Sequence, residues 1–208
     1  MKKLIILLHG VGSSGADLEG LGYFFQQVMP EIEFASPDGS APFDGGGEGY
    51  QWFSLDGITE NLRTERLVAA RADFAAIINN ILKEHGIVAG RDKVILLGFS
   101  QGSIMALDAL VTDSIPLAGV VAFSGRLASP KPYQPAVNTP VLLVHGMADP
   151  VIPWQESEAA AAALIEAGVN EVETLFEPDV VHTISGDGIA RAMAFVTEQF
   201  ELSEFPDE

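Results

Sequence analysis

The segment Gly98-Phe99-Ser100-Gln101-Gly102 constrains the fold of this 208-residue chain more than any other segment. It has the pattern G-x-S-x-G, follows the apolar run Val94–Leu97 and precedes a helix-favouring stretch that begins at Gln101. This order predicts a strand, a sharp turn and a helix, with Ser100 in a strained conformation at the turn. The turn would expose the serine hydroxyl beside a helix N-terminus, where developing negative charge is favoured.

Short apolar runs alternate with helical stretches along the rest of the chain. Strands are predicted at 4–8, 32–35, 94–97, 117–123, 141–144 and 172–176, and helices at 17–29, 59–85, 101–111, 159–167 and 189–200. This alternation predicts an α/β protein with a mostly parallel sheet and helices on both faces. We expect a single domain over residues 1–208 without a large lid, a glycine-rich loop at 36–50 and a loose acidic tail at 201–208.

Composition excludes several classes of function. The chain has no cysteine, so it has no thiol nucleophile, disulfide or thiolate metal site. Its 11 basic and 29 acidic residues give a formal charge of -18, which disfavours nucleic acid and anionic membranes as partners. The apolar run near the N-terminus is shorter than a secretory signal, and no run approaches the length of a membrane span. A cytoplasmic protein that acts on a small molecule is therefore expected.

Two further residues can complete a catalytic site around Ser100. A serine nucleophile needs a base and an acid, and in this strand-turn-helix context the chain order is serine, acid, histidine. His145 has no suitable acid before it and is predicted to be a hydrogen-bonded structural residue, whereas His182 is predicted to be the base. Asp149 is the predicted acid because it follows a strand, as His182 does, and Asp179 is the alternative.

The loop after the first strand supports two interpretations. The backbone N–H groups of Val11 and Gln101 are predicted to form an oxyanion hole for the intermediate of acyl transfer. Gly10–Gly15 also matches the nucleotide-binding pattern G-x-G-x-x-G, which would suggest a nucleotide-binding domain. That alternative lacks the acidic residue expected about 20 residues further on.

Four motifs together resemble the phospholipase/carboxylesterase family of small α/β-hydrolases, which includes acyl-protein thioesterases. They are His9-Gly10-Val11-Gly12, Trp52-Phe53, Gly98–Gly102 and the run from His145 to Pro153. The resemblance covers nearly the whole chain. It implies the α/β-hydrolase fold and hydrolysis of carboxylic esters through an acyl-enzyme, with Ser100, Asp149 and His182 as the catalytic triad and no cofactor or metal.

The substrate and the assembly are less constrained. Trp52 and Phe53 are predicted to bind substrate as walls of an acyl pocket, although they could instead fill the core beneath a long loop. An acyl-thioesterase or a lysophospholipase would use the same triad, and a binding protein without activity would keep the same fold. We expect a monomer or a homodimer.

Overall fold

Six parallel strands form the central sheet of the protein, which a computed structural model describes over residues 1–201. The strands of this sheet are β1 (Lys3–Leu8), β2 (Glu33–Ala35), β5 (Lys93–Phe99), β6 (Gly119–Phe123), β7 (Val141–Gly146) and β8 (Val172–Glu177). Two further short strands, β3 (Ala41–Pro42) and β4 (Tyr50–Gln51), form a separate pair. The helices are α1 (Glu19–Val28), α2 (Glu60–Glu84), α3 (Gln101–Val111), α4 (Gln155–Glu166) and α5 (Gly186–Glu201).

The strand order of the sheet is β2-β1-β5-β6-β7-β8, and every neighbouring pair is parallel. The chain first runs from β1 to the edge strand β2. It then returns to β5, on the other side of β1, and continues through β6 and β7 to β8 at the opposite edge. This reversal creates a crevice at the carboxyl ends of β1 and β5, the usual ligand site in such sheets. The loops that follow β1, β5, β7 and β8 therefore lie along one edge of the sheet.

Helices cover both faces of the sheet, as predicted. In β1, Leu4 and Ile6 belong to a core shared with α2, α3 and α4, whereas Ile5 and Leu7 belong to a second core shared with α1 and α5. Successive strand residues point to opposite faces, so burial on both faces explains the continuous apolar run. None of the helices within residues 1–201 combines the length and the apolar character needed to cross a bilayer.

The structure changes several predicted boundaries. Segment 36–50 was predicted to be a loop, but β3 and β4 form a small antiparallel hairpin there. Helix α4 begins at Gln155 rather than at 159, because its first turn is polar and gives no apolar periodicity. Glu201 ends helix α5, and the rest of the predicted tail, 202–208, lies outside the described residues.

A buried charge pair joins α2 to α3. Asp108 is only 3% exposed and accepts two hydrogen bonds from the Arg71 guanidinium, at 2.9 and 2.8 Å. It also accepts a hydrogen bond of 2.6 Å from the Ser129 hydroxyl. Helix α3 is buried along its whole length, so this pair fixes how α2 covers it.

We expect Asp108→Ala to lower the free energy of unfolding by about 2 to 3 kcal/mol, because it leaves Arg71 and Ser129 without their acceptor. Glu173→Ala is the matched control, since it removes the acceptor of Arg191 at an exposed site. It should cost less than about 1 kcal/mol. Urea unfolding measures both changes, and equal losses would contradict the structural role of Asp108.

Two histidines are buried near the carboxyl ends of the strands: His9 directly follows β1, and His145 lies within β7. His9 is fully buried, its Nδ1–H donates to the Gly10 carbonyl oxygen at 2.6 Å, and its Nε2 accepts from the Gly39 N–H at 2.8 Å. Burial lowers the pKa of His9 below its ordinary value, and the same cause lowers the pKa of His145. Both side chains are therefore neutral in the folded protein near neutral pH, but they take up protons more readily when the chain unfolds.

This difference predicts that stability falls in mild acid. Above the unfolded histidine pKa of about 6.5 both states are neutral, and below it the unfolded chain binds more protons. Each buried histidine then lowers the free energy of unfolding by up to ~1.4 kcal/mol per pH unit until its folded pKa is reached. Urea unfolding of His9→Gln across pH 8 to 5 (roughly the titration range of histidine) should show a shallower slope than the wild type. Parallel pH profiles would contradict this account.

Candidate active site

Ser100 lies at a sharp turn between β5 and α3. Its backbone has φ 55° and ψ -116°, a strained conformation for a residue other than glycine. The turn is held in place because the Ser100 N–H donates to the Phe123 carbonyl oxygen of β6 at 2.9 Å. The structure therefore has the strained turn that the sequence pattern predicts.

Close backbone contacts explain the glycines on either side of Ser100. A Cβ on Gly98 would lie 2.5 Å from the carbonyl carbon of Gly102, and a Cβ on Gly102 would lie 2.0 Å from the Leu8 carbonyl oxygen. Side chains at these positions would force β5, α3 and β1 apart.

Three side chains from separate loops form one hydrogen-bonded chain. The Ser100 Oγ and the His182 Nε2 are 3.0 Å apart, and the His182 Nδ1 and the Asp149 Oδ2 are 2.7 Å apart. A carboxylate only accepts, so the His182 Nδ1 carries the hydrogen and its Nε2 is free to accept the serine proton. The structure brings together the three residues that the sequence predicted as a triad.

The surroundings of Asp149 keep its carboxylate ionised. Its side chain is inaccessible to solvent, and burial alone would raise its pKa. The hydrogen bond from His182 and those from the N–H groups of Ile152 and Val151, at 2.9 and 2.8 Å, outweigh burial and lower the pKa below its ordinary value. Asp149 is thus a fixed negative charge behind His182.

His145 lies against the Asp149 carboxylate and is hydrogen-bonded on both ring nitrogens, which agrees with its predicted structural role. Its Nε2 is 2.8 Å from the Ile152 carbonyl oxygen and 3.2 Å from the Asp149 Oδ2, and its Nδ1 is 2.6 Å from the Ser157 Oγ. Because the carbonyl only accepts, Nε2 carries the hydrogen and Nδ1 accepts from the hydroxyl. By contrast, the alternative acid Asp179 is exposed, and no hydrogen bond joins it to His182 within residues 1–201.

A cavity of about 420 Å³ opens beside Ser100 and His182. Val11 and Gln101, whose N–H groups were predicted as oxyanion donors, both line it. Gln101 is also the first residue of α3, so its N–H lies at the positive end of the helix dipole. Both residues with predicted oxyanion donors therefore line the same cavity as Ser100.

The prediction that Trp52 and Phe53 wall the cavity is wrong. Neither lines it, and both are buried in the core, at 2% and 5% exposure. The Trp52 N–H donates to the Gln101 Oε1 at 2.7 Å, and the Gln101 Nε2 donates to the Phe53 carbonyl oxygen at 2.8 Å. The Trp52 Nε1 also donates to the His9 carbonyl oxygen at 2.9 Å. Trp52 and Phe53 thus attach their loop to the Ser100 turn.

Other residues form the walls of the cavity. The apolar wall residues, whose role no sequence motif indicates, are Leu55, Ile58, Phe99, Ile104, Val151 and Ile152. Arg63 and Arg126 also line the cavity and belong to none of the four motifs. Arg126 follows the carboxyl end of β6, so the rule that located Asp149 could have found it. Arg63 lies on the covering helix α2, where sequence spacing gives no comparable signal.

The loop at Gly10–Gly15 lacks the arrangement of a nucleotide-binding turn. It leads into a 3₁₀ turn over Gly15–Leu18 rather than directly into a helix, and the Gly15 N–H donates to the Asp38 carboxylate at 2.8 Å. A dinucleotide fingerprint instead places a helix N-terminus against the pyrophosphate. In the part of the chain that the structure describes, no cluster of three or more His, Asp or Glu side chains is arranged to hold a metal ion.

Comparisons with known proteins agree with this architecture. The phospholipase/carboxylesterase family profile matches residues 1–199. Esterase YpfH of Escherichia coli is 34% identical over 202 residues, covering 97% of this chain and 83% of the relative. Acyl-protein thioesterase 1 of Neurospora crassa is 27% identical over 213 residues, covering 94% and 86%. The crystal structure of esterase PE8 superimposes with a TM-score of 0.87 at 34% identity, covering 95% of this chain and 92% of that one.

The family profile spans almost the whole chain, and two of these relatives share a third of its residues. The chain therefore belongs to the phospholipase/carboxylesterase family of α/β-hydrolases.

Proposed function

We propose that this protein is a serine carboxylesterase that works through an acyl-enzyme on Ser100. The observation that carries the proposal is the hydrogen-bonded chain from Ser100 through His182 to Asp149, at the wall of a largely apolar cavity. The geometry supports the proposal, because serine catalysis needs a base within hydrogen-bonding distance of the hydroxyl and an acid that orients that base.

Acylation begins when the His182 Nε2 removes the Ser100 hydroxyl proton. The Oγ then attacks the ester carbonyl carbon, and the negative charge of Asp149 stabilises the imidazolium that forms. The carbonyl oxygen becomes an oxyanion, to which Val11 and Gln101 donate their N–H groups. When the bond to the alcohol oxygen breaks, His182 returns its proton to that oxygen and the alcohol leaves.

Deacylation repeats these steps with water. His182 removes a proton from water, the resulting hydroxide attacks the acyl-enzyme carbonyl, and the bond to the Ser100 Oγ breaks. The proton on His182 returns to Ser100. One ester and one water thus give one acid and one alcohol, and no other reactant is consumed.

Thioester hydrolysis is the second candidate function. The similarity to acyl-protein thioesterase 1 of Neurospora crassa favours it, and the same triad can cleave a thioester or a lysophospholipid. Matched esters and thioesters of one acyl chain, together with a lysophospholipid, would rank the three activities by kcat/KM. The cytoplasmic location and the monomeric or homodimeric state stay predictions from the sequence.

We expect Ser100→Ala to lower kcat/KM for an activated ester by at least ~10⁴-fold, because the nucleophile and the base act as a unit. Ser124→Ala is the matched control. Ser124 directly follows the neighbouring strand β6, has φ 51° and is buried, and its hydroxyl has no hydrogen-bond partner among the described residues. Esterase kinetics of both variants measure the loss of activity, and their melting temperatures show whether each variant is folded. Substantial activity in folded Ser100→Ala would contradict the proposal.

We expect Asp149→Asn to lower kcat by about 10³- to 10⁴-fold at neutral pH, because an amide can no longer hold the His182 proton on Nδ1. Asp179→Asn makes the same change three positions from His182 on an exposed side chain and should keep nearly full activity. Steady-state kinetics of both variants would separate the two candidate acids. A larger loss in Asp179→Asn would reverse their assignment.

A further inference from the structure

Two arginines line the catalytic cavity of a strongly acidic protein. The chain has only 11 basic residues against 29 acidic ones, yet no Asp or Glu within residues 1–201 lines this cavity. The ionisable groups there are Arg63, Arg126 and the proposed base His182. The cavity is thus a positively charged region within a negatively charged molecule.

Arg126 is largely buried, and its one ion pair within residues 1–201 is long. Its side chain is 16% exposed, and its Nε is buried with no hydrogen-bond partner among the described residues. The nearest carboxylate oxygen belongs to Glu156, 3.7 Å from the Arg126 Nη1, which is beyond hydrogen-bonding distance. The guanidinium therefore has five N–H donors and only this long contact to a carboxylate, and a ligand carboxylate can supply a closer acceptor to its Nη groups.

Arg63 adds a second guanidinium to the same wall. It lies in the first turn of α2, and its side chain makes no hydrogen bond or ion pair with the rest of the described chain. Burial and the nearby charge of Arg63 both lower the pKa of Arg126, so the two guanidinium groups repel each other. A bound anion would relieve this repulsion.

The other four arginines of the chain are all engaged. Arg71, Arg91 and Arg191 donate to carboxylates, and Arg66 donates to the Ser54 carbonyl oxygen at 2.8 Å. The two arginines that lack hydrogen-bond partners within residues 1–201 are therefore the two that line the catalytic cavity.

We propose that Arg63 and Arg126 form a subsite for a carboxylate carried by the substrate, so that the protein prefers an ester with a free carboxylate. This inference rests on the esterase function proposed above. The planar fork of an arginine matches a carboxylate in geometry and can bind both of its oxygens. The apolar residues of the cavity would contact the chain between the ester and the carboxylate.

The local charge favours a carboxylate over a phosphate dianion. Glu60 and Glu156 line an adjoining cavity of about 270 Å³ that shares Arg63 and Arg126 with the catalytic one. These two carboxylates offset part of the arginine charge. Because these carboxylates weaken the positive field of the arginines, a doubly charged ligand would be repelled more strongly than a singly charged one, and the overall charge of -18 adds to that repulsion.

The test uses two matched pairs of esters. Within each pair, one ester carries a carboxylate and the other carries an isopropyl group at the same position. In the first pair the acyl part carries the carboxylate: the mono-para-nitrophenyl ester of adipic acid and the same ester with an isopropyl group in place of the carboxylate. In the second pair the alcohol part carries the carboxylate: the acetyl esters of para-hydroxybenzoate and para-isopropylphenol. The readout is the ratio of kcat/KM for the charged ester to that for its neutral match.

We expect this ratio to fall about 10- to 100-fold in Arg126→Gln and in Arg63→Gln for at least one pair, as the loss of a charged hydrogen bond predicts. The pair that responds identifies the side of the ester that enters the subsite. Arg191→Gln is the control for net charge, since Arg191 lies on α5 and outside the cavity. It should leave each ratio within about twofold of the wild type.

A second measurement needs no variant. Adipate should inhibit hydrolysis of a neutral ester by the wild type competitively, inhibition should weaken as salt is added, and the uncharged diamide of adipic acid should inhibit less. The subsite is overturned if both ratios stay unchanged in both arginine variants, or if the diamide inhibits as well as adipate. If the wild type cleaves no ester at all, the proposed esterase function fails, and the subsite fails with it.

Discussion

The site depends on the close approach of helix α3 to strand β1 at Gly102. The backbones are so near that a Cβ there would lie 2.0 Å from the Leu8 carbonyl oxygen. This contact lets the chain turn sharply after β5, which places Ser100 at φ 55° and brings it beside the loop that follows β1. The parallel sheet then places the loops after β7 and β8 on the same edge, so Asp149 and His182 reach Ser100 from separate loops.

The roles of the histidines and of the charged side chains depend on where they lie. His145 is buried beneath Asp149, and burial lowers its pKa, so it stays a neutral donor that steadies the acid. His182 lies between Asp149 and the cavity, where it can exchange a proton with Ser100. Although the protein is strongly acidic, the charged side chains that line the cavity are Arg63 and Arg126, which suits it to an anionic ester.

Much of this arrangement was predictable from the sequence. The apolar runs predicted the parallel sheet, and the chain order of serine, acid and base selected Ser100, Asp149 and His182. Both inferences depend on local sequence patterns and on the positions of strand ends, which can be read from the sequence alone.

The walls of the cavity were not predictable, because they depend on how distant segments pack. Trp52 and Phe53 are apolar like true wall residues, but hydrogen bonds to Gln101 and His9 hold them in the core. Arg63 lines the cavity from helix α2. Helical spacing in the sequence does not indicate which residues of α2 face the cavity.

Catalysis as proposed requires that Ser100, and no other serine, is the nucleophile that His182 activates. Labelling the native protein with a fluorophosphonate, followed by peptide mapping by mass spectrometry, tests this claim directly, because such probes react covalently with an activated serine. The account predicts one adduct per chain, located on Ser100, and none in His182→Ala, where the base is missing. An adduct on another serine, or equal labelling of Ser100 in His182→Ala, would contradict it.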